Sequence, residues 1–144
     1  MRQILVWAVR ILPFAYMALI WLLSSLPHNA VVELPDSAVD RFIKESLHLV
    51  EFGILYILLF FAALTLDKFT PVMGFALMAI AGLYGVIDEI HQSFVPYRSA
   101  TLIDVIKDVI GVLVASHFMH NAYFSGRFPK LRDKLIQAER YLKG

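Results

Sequence analysis

Residues 81–111 read AGLYGVIDEIHQSFVPYRSATLIDVIKDVIG. One apolar stretch ends in Asp88-Glu89-Ile90-His91-Gln92, and after a turn a second apolar stretch opens on Asp104 and Asp108. Acids and histidines cost a few kcal/mol each in or beside hydrocarbon, so in an apolar helix they indicate a functional site. The rest of the sequence decides where this polar cluster lies and what surrounds it.

The composition is that of an integral membrane protein. Of the 144 residues, 59% are apolar and 17% are charged, and the mean hydropathy is +0.68, outside the usual range of soluble domains. The net charge of +1 supplies no large basic face, so no nucleic-acid partner is expected. Without cysteine the chain has no disulfide, no thiolate nucleophile and no cysteine-type zinc site.

Four apolar runs predict an all-α integral membrane protein whose four transmembrane helices form a small bundle. The predicted spans are residues 4–26, 47–66, 72–90 and 101–118. A capping box at Ser37 and Asp40 predicts that the second helix begins before its span. We expect a four-span membrane domain over residues 1–120 and a basic amphipathic helix on the membrane surface over residues 121–144. A signal peptide is the alternative interpretation of the first run, although its apolar core is long and lacks a small-x-small cleavage site.

The distribution of positive charge predicts the orientation. Nine of the 13 lysines and arginines lie in the tail, at the start of the chain or at Lys68, which the topology places on one side. The positive-inside rule therefore predicts a multi-pass membrane protein with both termini cytoplasmic. We expect Arg10 to reach back to the lipid head groups. The polar residues of the other helices then meet at the extracytoplasmic end.

These polar residues are the candidate site. The predicted catalytic residues are His48, Glu51, Asp88, Glu89, His91 and Asp108. The predicted substrate-binding residues are Lys44, Gln92, Arg98 and Asp104. A histidine beside a carboxylate can act as a general base, and a carboxylic acid kept protonated by its neighbours can act as an acid. The guanidinium of Arg98 suits a phosphate or a carboxylate.

Several of these residues also have structural interpretations. Asp104 could cap a helix with Thr101, and Lys107 could pair with a neighbouring acid. Glu89 lies about 100° around the helix from Asp88 and could point to the interface or to Arg98 instead. His48 and Glu51 could form a satisfied pair, and Arg98 could be an interfacial anchor. We interpret Trp7, Trp21 and most tyrosines as lipid-facing or boundary residues.

The same residues resemble the VanZ-like membrane proteins. The resemblance rests on Lys44-x3-His48-x2-Glu51-Phe52-x2-Leu55, Asp88-Glu89-x-His91-Gln92-x-Phe94-Val95-Pro96-x-Arg98, and Asp104-x3-Asp108-x2-Gly111, with Ser24-Ser25 before them. Tyr97 stands where that family commonly has glycine, and Asp108 where it commonly has asparagine. The resemblance implies a small bacterial inner-membrane protein of a family named for low-level resistance to the lipoglycopeptide teicoplanin.

The first functional hypothesis is that the site binds or modifies an anionic lipid-linked or cell-envelope component, with membrane lipid as the partner and no cofactor or metal. No covalent nucleophile is evident, which argues against serine- or cysteine-type acyl transfer. A metal-dependent enzyme is the alternative, because His48-x2-Glu51 and Asp88-x2-His91 are histidine-carboxylate pairs. A transporter or scaffold subunit is the third hypothesis, and transport by so small a chain would require an oligomer.

Overall fold

The computed structural model describes residues 1–26, 37–96, 98 and 101–144, with the side chains of residues 37–45 and 48 outside the description. The described chain forms five helices and no strand, which confirms the all-α prediction. The helices are α1 (Arg2–Ser24), α2 (Ser37–Leu64), α3 (Pro71–Gln92), α4 (Leu102–Tyr123) and α5 (Pro129–Lys143).

Two threonines fix the starts of α3 and α4. Thr70 accepts a hydrogen bond from the backbone N–H of Met73 at 3.3 Å, and Pro71 follows at the first helical position. Thr101 accepts one from the backbone N–H of Asp104 at 3.3 Å and donates its hydroxyl to the Asp104 carboxylate at 2.6 Å. Asp104 therefore makes the contact with Thr101 at the helix start that its structural interpretation predicted.

Helices α1 to α4 run alternately up and down. At one end, Arg10 near the start of α1 binds Thr65 just beyond α2, and the rings of Phe69 and Phe124 lie 5.3 Å apart. At the other end, Ser24 of α1 binds Asp88 of α3. Successive helices therefore alternate in direction, which gathers the described members of the predicted site at one end of the bundle.

The core lies around α2. Its fully buried side chains are Phe52, Leu55, Tyr56, Phe60 and Leu64. Tyr56 is thus an exception to the expectation that most tyrosines are boundary or lipid-facing residues, because its large apolar ring fills the space between the helices.

Glycines let α2 and α4 approach closely. A Cβ atom built on Gly53 would lie 3.2 Å from the carbonyl oxygen of Gly111. A Cβ atom built on Gly111 would overlap the backbone carbonyl of Leu49. The pair thus requires glycine at residue 111 for steric reasons, and this contact sets the separation of the two helices.

Helices α1 and α3 are each long and apolar enough to cross a membrane, and α2 contains the shorter apolar stretch Leu49–Leu64. Large apolar side chains of α1 remain on the surface, among them Trp7, Phe14 and Leu22. Continuous apolar surface of this kind is rare on soluble monomers and is typical of a lipid-facing helix.

Arg10 binds the end of α2. Its Nε–H donates to the hydroxyl oxygen of Thr65 at 2.8 Å, and an Nη2–H donates to the Thr65 carbonyl at 3.1 Å. A guanidinium near the start of an apolar helix finds two oxygens at the end of α2, where the helix leaves its last carbonyls unpaired. The contact links α1 to α2.

Helix α5 is attached to the bundle by both apolar and charged contacts. Leu135 and Leu142 are buried. The carboxylate of Glu139 accepts hydrogen bonds from the Tyr123 hydroxyl at 2.7 Å and from the Lys143 ammonium at 2.6 Å. Partial burial raises the pKa of Glu139, but these hydrogen bonds and the positive charges of Lys143 and Arg140 outweigh it, so the pKa is lowered overall.

Acid should loosen α5. Because the folded-state pKa of Glu139 lies below its ordinary value of 4.5, its stabilisation is complete above pH 4.5 and is lost as the pH falls through the folded-state value. We expect amide hydrogen exchange in α5, corrected for intrinsic rates, to accelerate on acidification while α2 stays protected. Glu139→Gln should reduce that response, whereas Asp133→Asn on the exposed side should leave it intact. An unchanged acid response in Glu139→Gln would contradict this assignment.

Candidate functional site

The described polar residues of four elements meet at the end of the bundle opposite α5. They are Ser24 and Ser25 at the end of α1, Glu51 in α2, Asp88, Glu89, His91 and Gln92 in α3, Arg98 after it, and Asp104 and Asp108 in α4. Asp88, Glu89, Gln92 and Asp108 are buried and form the floor of this cluster, while Glu51, His91, Arg98 and Asp104 are partly exposed and form its rim.

Asp88 is the best-connected carboxylate of the floor. It is 1% exposed, and its Oδ2 accepts hydrogen bonds from the Ser24 hydroxyl at 2.9 Å and from the Gln92 amide at 2.7 Å. Its Oδ1 is buried with no hydrogen-bond partner among the described residues. The predicted inward direction of Asp88 is therefore observed, and Ser24 supplies the donor from α1.

Arg98 joins the rim to the floor. One Nη1–H donates to the side-chain carbonyl of Gln92 at 2.8 Å, and Gln92 in turn donates to Asp88. The Nε–H and an Nη2–H donate to the backbone carbonyls of Leu26 and Leu23 at 3.0 and 2.9 Å. The guanidinium thus caps the C-terminal end of α1, where unpaired carbonyls and the helix dipole favour a cation.

Glu89 and Asp108 occupy the side of the floor toward α4. Glu89 accepts from Gln92 at 3.3 Å and from the backbone of Thr101. Asp108 is fully buried, and a Cβ atom on Gly85 would come within 3.0 Å of its Cβ. Gly85 therefore leaves the room that brings Asp108 against α3. Asp88 faces α1 and Glu89 faces the start of α4, in keeping with their predicted separation around the helix.

His91 lies against α1. Its ring stacks on Trp21 with centroids 3.8 Å apart and an interplanar angle of 19°, and its Nε2 lies 2.9 Å from the Ser25 hydroxyl oxygen. That hydroxyl donates its proton to the Trp21 carbonyl at 2.7 Å, so Nε2 donates to Ser25 in this geometry. Trp21 remains 40% exposed, and one face of its indole forms a wall around His91.

On the α2 side, Glu51 is half-buried and lies within electrostatic reach of Asp88 and Arg98. The predicted residues Lys44 and His48 lie outside the described side chains. On the α4 side, Lys107 forms an ion pair with Asp104 at 3.3 Å, as its structural interpretation predicted. The described part of the site is thus strongly acidic, with Arg98 and Lys107 as its cations.

The family model for VanZ/LLP1 matches residues 2–123, from α1 to the end of α4. The chain belongs to the VanZ/LLP1 family. Members are membrane-associated and are broadly linked to antibiotic resistance. Searches of curated proteins and of solved structures find no match.

In this VanZ/LLP1 protein the described residues hold no group of three histidine or acidic side chains arranged to bind a metal ion. Asp88 and His91 do not form a metal-binding pair because their side chains point in different directions. His91 turns to Trp21 and Ser25, whereas Asp88 turns to Ser24 and Gln92. The His48–Glu51 pair of the metal hypothesis includes a side chain outside the description.

Sequence reasoning gave no specific role to three participants in this VanZ/LLP1 site. Ser24 and Ser25 were singled out by the resemblance alone, and Gly85 was noted as a general helix-contact residue. A usable signal was present for the serines, because Trp21 and Ser25 are four residues apart and share a helix face. Nothing local shows that this face meets His91.

Proposed function

We propose that this VanZ/LLP1 protein spans the bacterial cytoplasmic membrane four times, with both termini in the cytoplasm. The antiparallel order of α1 to α4 supports it, as does the concentration of lysine and arginine at the end that carries α5. Charged groups in α4 do not argue against a span, since Asp108 faces the bundle interior. Residues 1–120 then form the membrane domain and residues 121–144 a cytoplasmic tail.

At the outer face, the polar cluster binds or modifies an anionic lipid-linked component of the cell envelope and so lowers susceptibility to teicoplanin-type lipoglycopeptides. The observation that carries this proposal is the hydrogen-bonded line from half-exposed Arg98 through Gln92 to buried Asp88. A guanidinium has five N–H donors, and three of those of Arg98 bind the protein. The other two have no partner among the described residues and are available to a phosphate or carboxylate at the rim.

The acidic floor holds this cation in place. Asp88 fixes the amide of Gln92, whose carbonyl then receives Arg98. Glu51 and His91 on the rim are the groups placed to exchange a proton with a substrate held at Arg98. The other predicted catalytic residues act in this scheme by positioning.

Ser25 supports a second candidate function. Its hydroxyl oxygen lies 2.9 Å from His91, the pairing that a serine nucleophile requires. The hydroxyl proton is directed to the Trp21 carbonyl, and among the described residues no hydrogen bond orients the other ring nitrogen of His91. Acyl or phosphoryl transfer through Ser25 would therefore need the hydroxyl to rotate toward His91.

The test is teicoplanin susceptibility of a bacterial host expressing each variant, normalised to membrane abundance. We expect His91→Gln and Glu51→Gln each to give at least tenfold less protection than the unaltered protein. The reason is that losing one proton-transfer group slows a reaction by roughly 10²-fold or more. His117→Gln, an exposed histidine in α4 toward the α5 end, is the matched control and should retain protection.

Ser25→Ala separates the two mechanisms. Retained protection supports acid–base or binding function at the rim, and a loss equal to that of His91→Gln supports the serine nucleophile. Full protection by His91→Gln, Glu51→Gln and Ser25→Ala alike would overturn the proposal for this site.

A further inference from the structure

A cavity with charged walls lies at the other end of the bundle, away from the acidic cluster. It has a volume of about 440 Å³, within the range of roughly 300–1,000 Å³ that small-molecule sites occupy. Its walls come from the first turns of α1, the α2–α3 connection and the end of α5. The charged lining residues are Arg2, Arg10, Lys143 and Asp67, and the lining also includes Gln3, Val6, Trp7, Thr65 and Leu142.

The cavity is positively charged. Among the lining side chains, three cations face the carboxylate of Asp67, and Lys143 is also ion-paired with Glu139. Arg2 forms no hydrogen bond or ion pair with any residue that the structure describes. Arg10 uses two of its five N–H donors on Thr65, and Lys143 donates to the Asp67 carbonyl at 3.3 Å and to Glu139. Donors therefore remain on both guanidinium groups.

The N-terminus of α1 adds to the positive electrostatic potential of the cavity. Helix α1 begins at Arg2, and no side chain caps its N-terminus. The first amide groups and the positive end of the helix dipole thus lie beside Arg2 and Gln3, where they favour an anion. The apolar part of the lining indicates a ligand that has an apolar portion beside its charged group. Trp7 is 61% exposed and sits beside Arg10, with the guanidinium carbon 5.7 Å from the ring centroid.

We propose that this cavity is a binding site for a phosphodiester head group, separate from the acidic cluster at the opposite end. The guanidinium groups of Arg2 and Arg10 supply planar donors for the phosphate oxygens, Lys143 adds charge, and Trp7 packs against the adjoining apolar part. An anionic phospholipid and a soluble phosphodiester share this chemistry. The exposed apolar surface of α1 next to the cavity would receive the acyl chains of the former.

The tryptophan gives the experiment its reporter. Trp7 and Trp21 are the two tryptophans of the chain, so Trp21→Phe leaves Trp7 as the single emitter. The full-length protein is reconstituted in phosphatidylcholine vesicles that contain brominated phosphatidylglycerol or brominated phosphatidylcholine. We expect Trp7 to be quenched more strongly by the anionic lipid, and Arg2→Gln with Lys143→Gln should lower that preference about 25-fold, or about fivefold per charge.

Lys134→Gln is the matched control, because it removes an exposed α5 lysine that does not line the cavity. Soluble glycerophosphoglycerol, added to phosphatidylcholine vesicles, is the second arm. Lipid preference without a response to the soluble compound assigns the site to a phospholipid. A saturable Trp7 response to the soluble compound, lost in Arg2→Gln with Lys143→Gln, assigns it to a free phosphodiester. No charge-dependent response in either arm, or an equal loss in Lys134→Gln, overturns the proposal.

Discussion

Replacing Gly111 with alanine should force α2 and α4 apart and destabilise the protein by roughly 1–3 kcal/mol or more, the usual cost of overpacking a tight interior. The new methyl group would overlap the backbone carbonyl of Leu49, and a helical backbone has no rotamer with which to move aside. The displacement would reach the site as well, because Asp108 lies one turn before Gly111 on the same helix face.

Gly82→Ala is the control for that experiment. A Cβ atom at Gly82 meets no atom within 4 Å, so alanine there should be neutral or stabilising by up to about 1 kcal/mol through helix propensity. Gly53→Ala should fall between the two, because its Cβ would lie 3.2 Å from the Gly111 carbonyl oxygen. Unfolding of the purified proteins in mixed detergent micelles gives the ranking. Equal stability of Gly111→Ala and Gly82→Ala would show that α2 and α4 do not approach each other so closely at Gly111.

Removing the charge of Arg98 should be the most damaging change at the site. Arg98→Met keeps much of the side-chain length but breaks the bonds to Gln92, Leu23 and Leu26. The side-chain carbonyl of buried Gln92 then loses its hydrogen-bond donor, which should cost about 1–3 kcal/mol of folding stability. The change also removes a cation from beside the acidic floor. We expect loss of protection against teicoplanin together with reduced stability in detergent.

Two further variants show which property of Arg98 is required. Arg98→Lys keeps the charge and loses the fork of donors, so it should recover part of the stability and little of the function. Combining Arg98→Met with Asp88→Asn should recover stability, because one buried negative charge is removed with the cation. Arg127→Met, at an exposed position of the opposite end, is the charge-matched control. Normal protection by Arg98→Met at normal abundance would refute the role assigned to Arg98.

The helices and the end of the bundle at which the acidic residues lie could be predicted from the sequence, because both follow from local pattern. The apolar runs, the proline at residue 71 and the threonine before α4 place the helices. Chain direction then brings the acidic residues of α3 and α4 to one end. The capping contact of Asp104 and the ion pair of Lys107 were also predictable, since both form between residues three positions apart.

Partners across helices could not be predicted in this way. Whether His91 meets a carboxylate or Trp21 depends on how far α1 is rotated about its axis, and that rotation follows from packing against residues distant in sequence. The binding of Arg10 to Thr65 depends on the same packing, since it forms only if α1 is rotated so that Arg10 faces the end of α2.

The sequence by itself determined that residues 81–111 carry acids and a histidine at one end of two apolar helices. Only the tertiary structure decided that Asp88 meets Ser24, that His91 meets Ser25 and that Arg98 reaches Asp88 through Gln92. The physical reason is that helix periodicity fixes the face on which a side chain lies, whereas its neighbour is fixed by the close approach of α2 and α4 at Gly111 and by the helices packed around that contact.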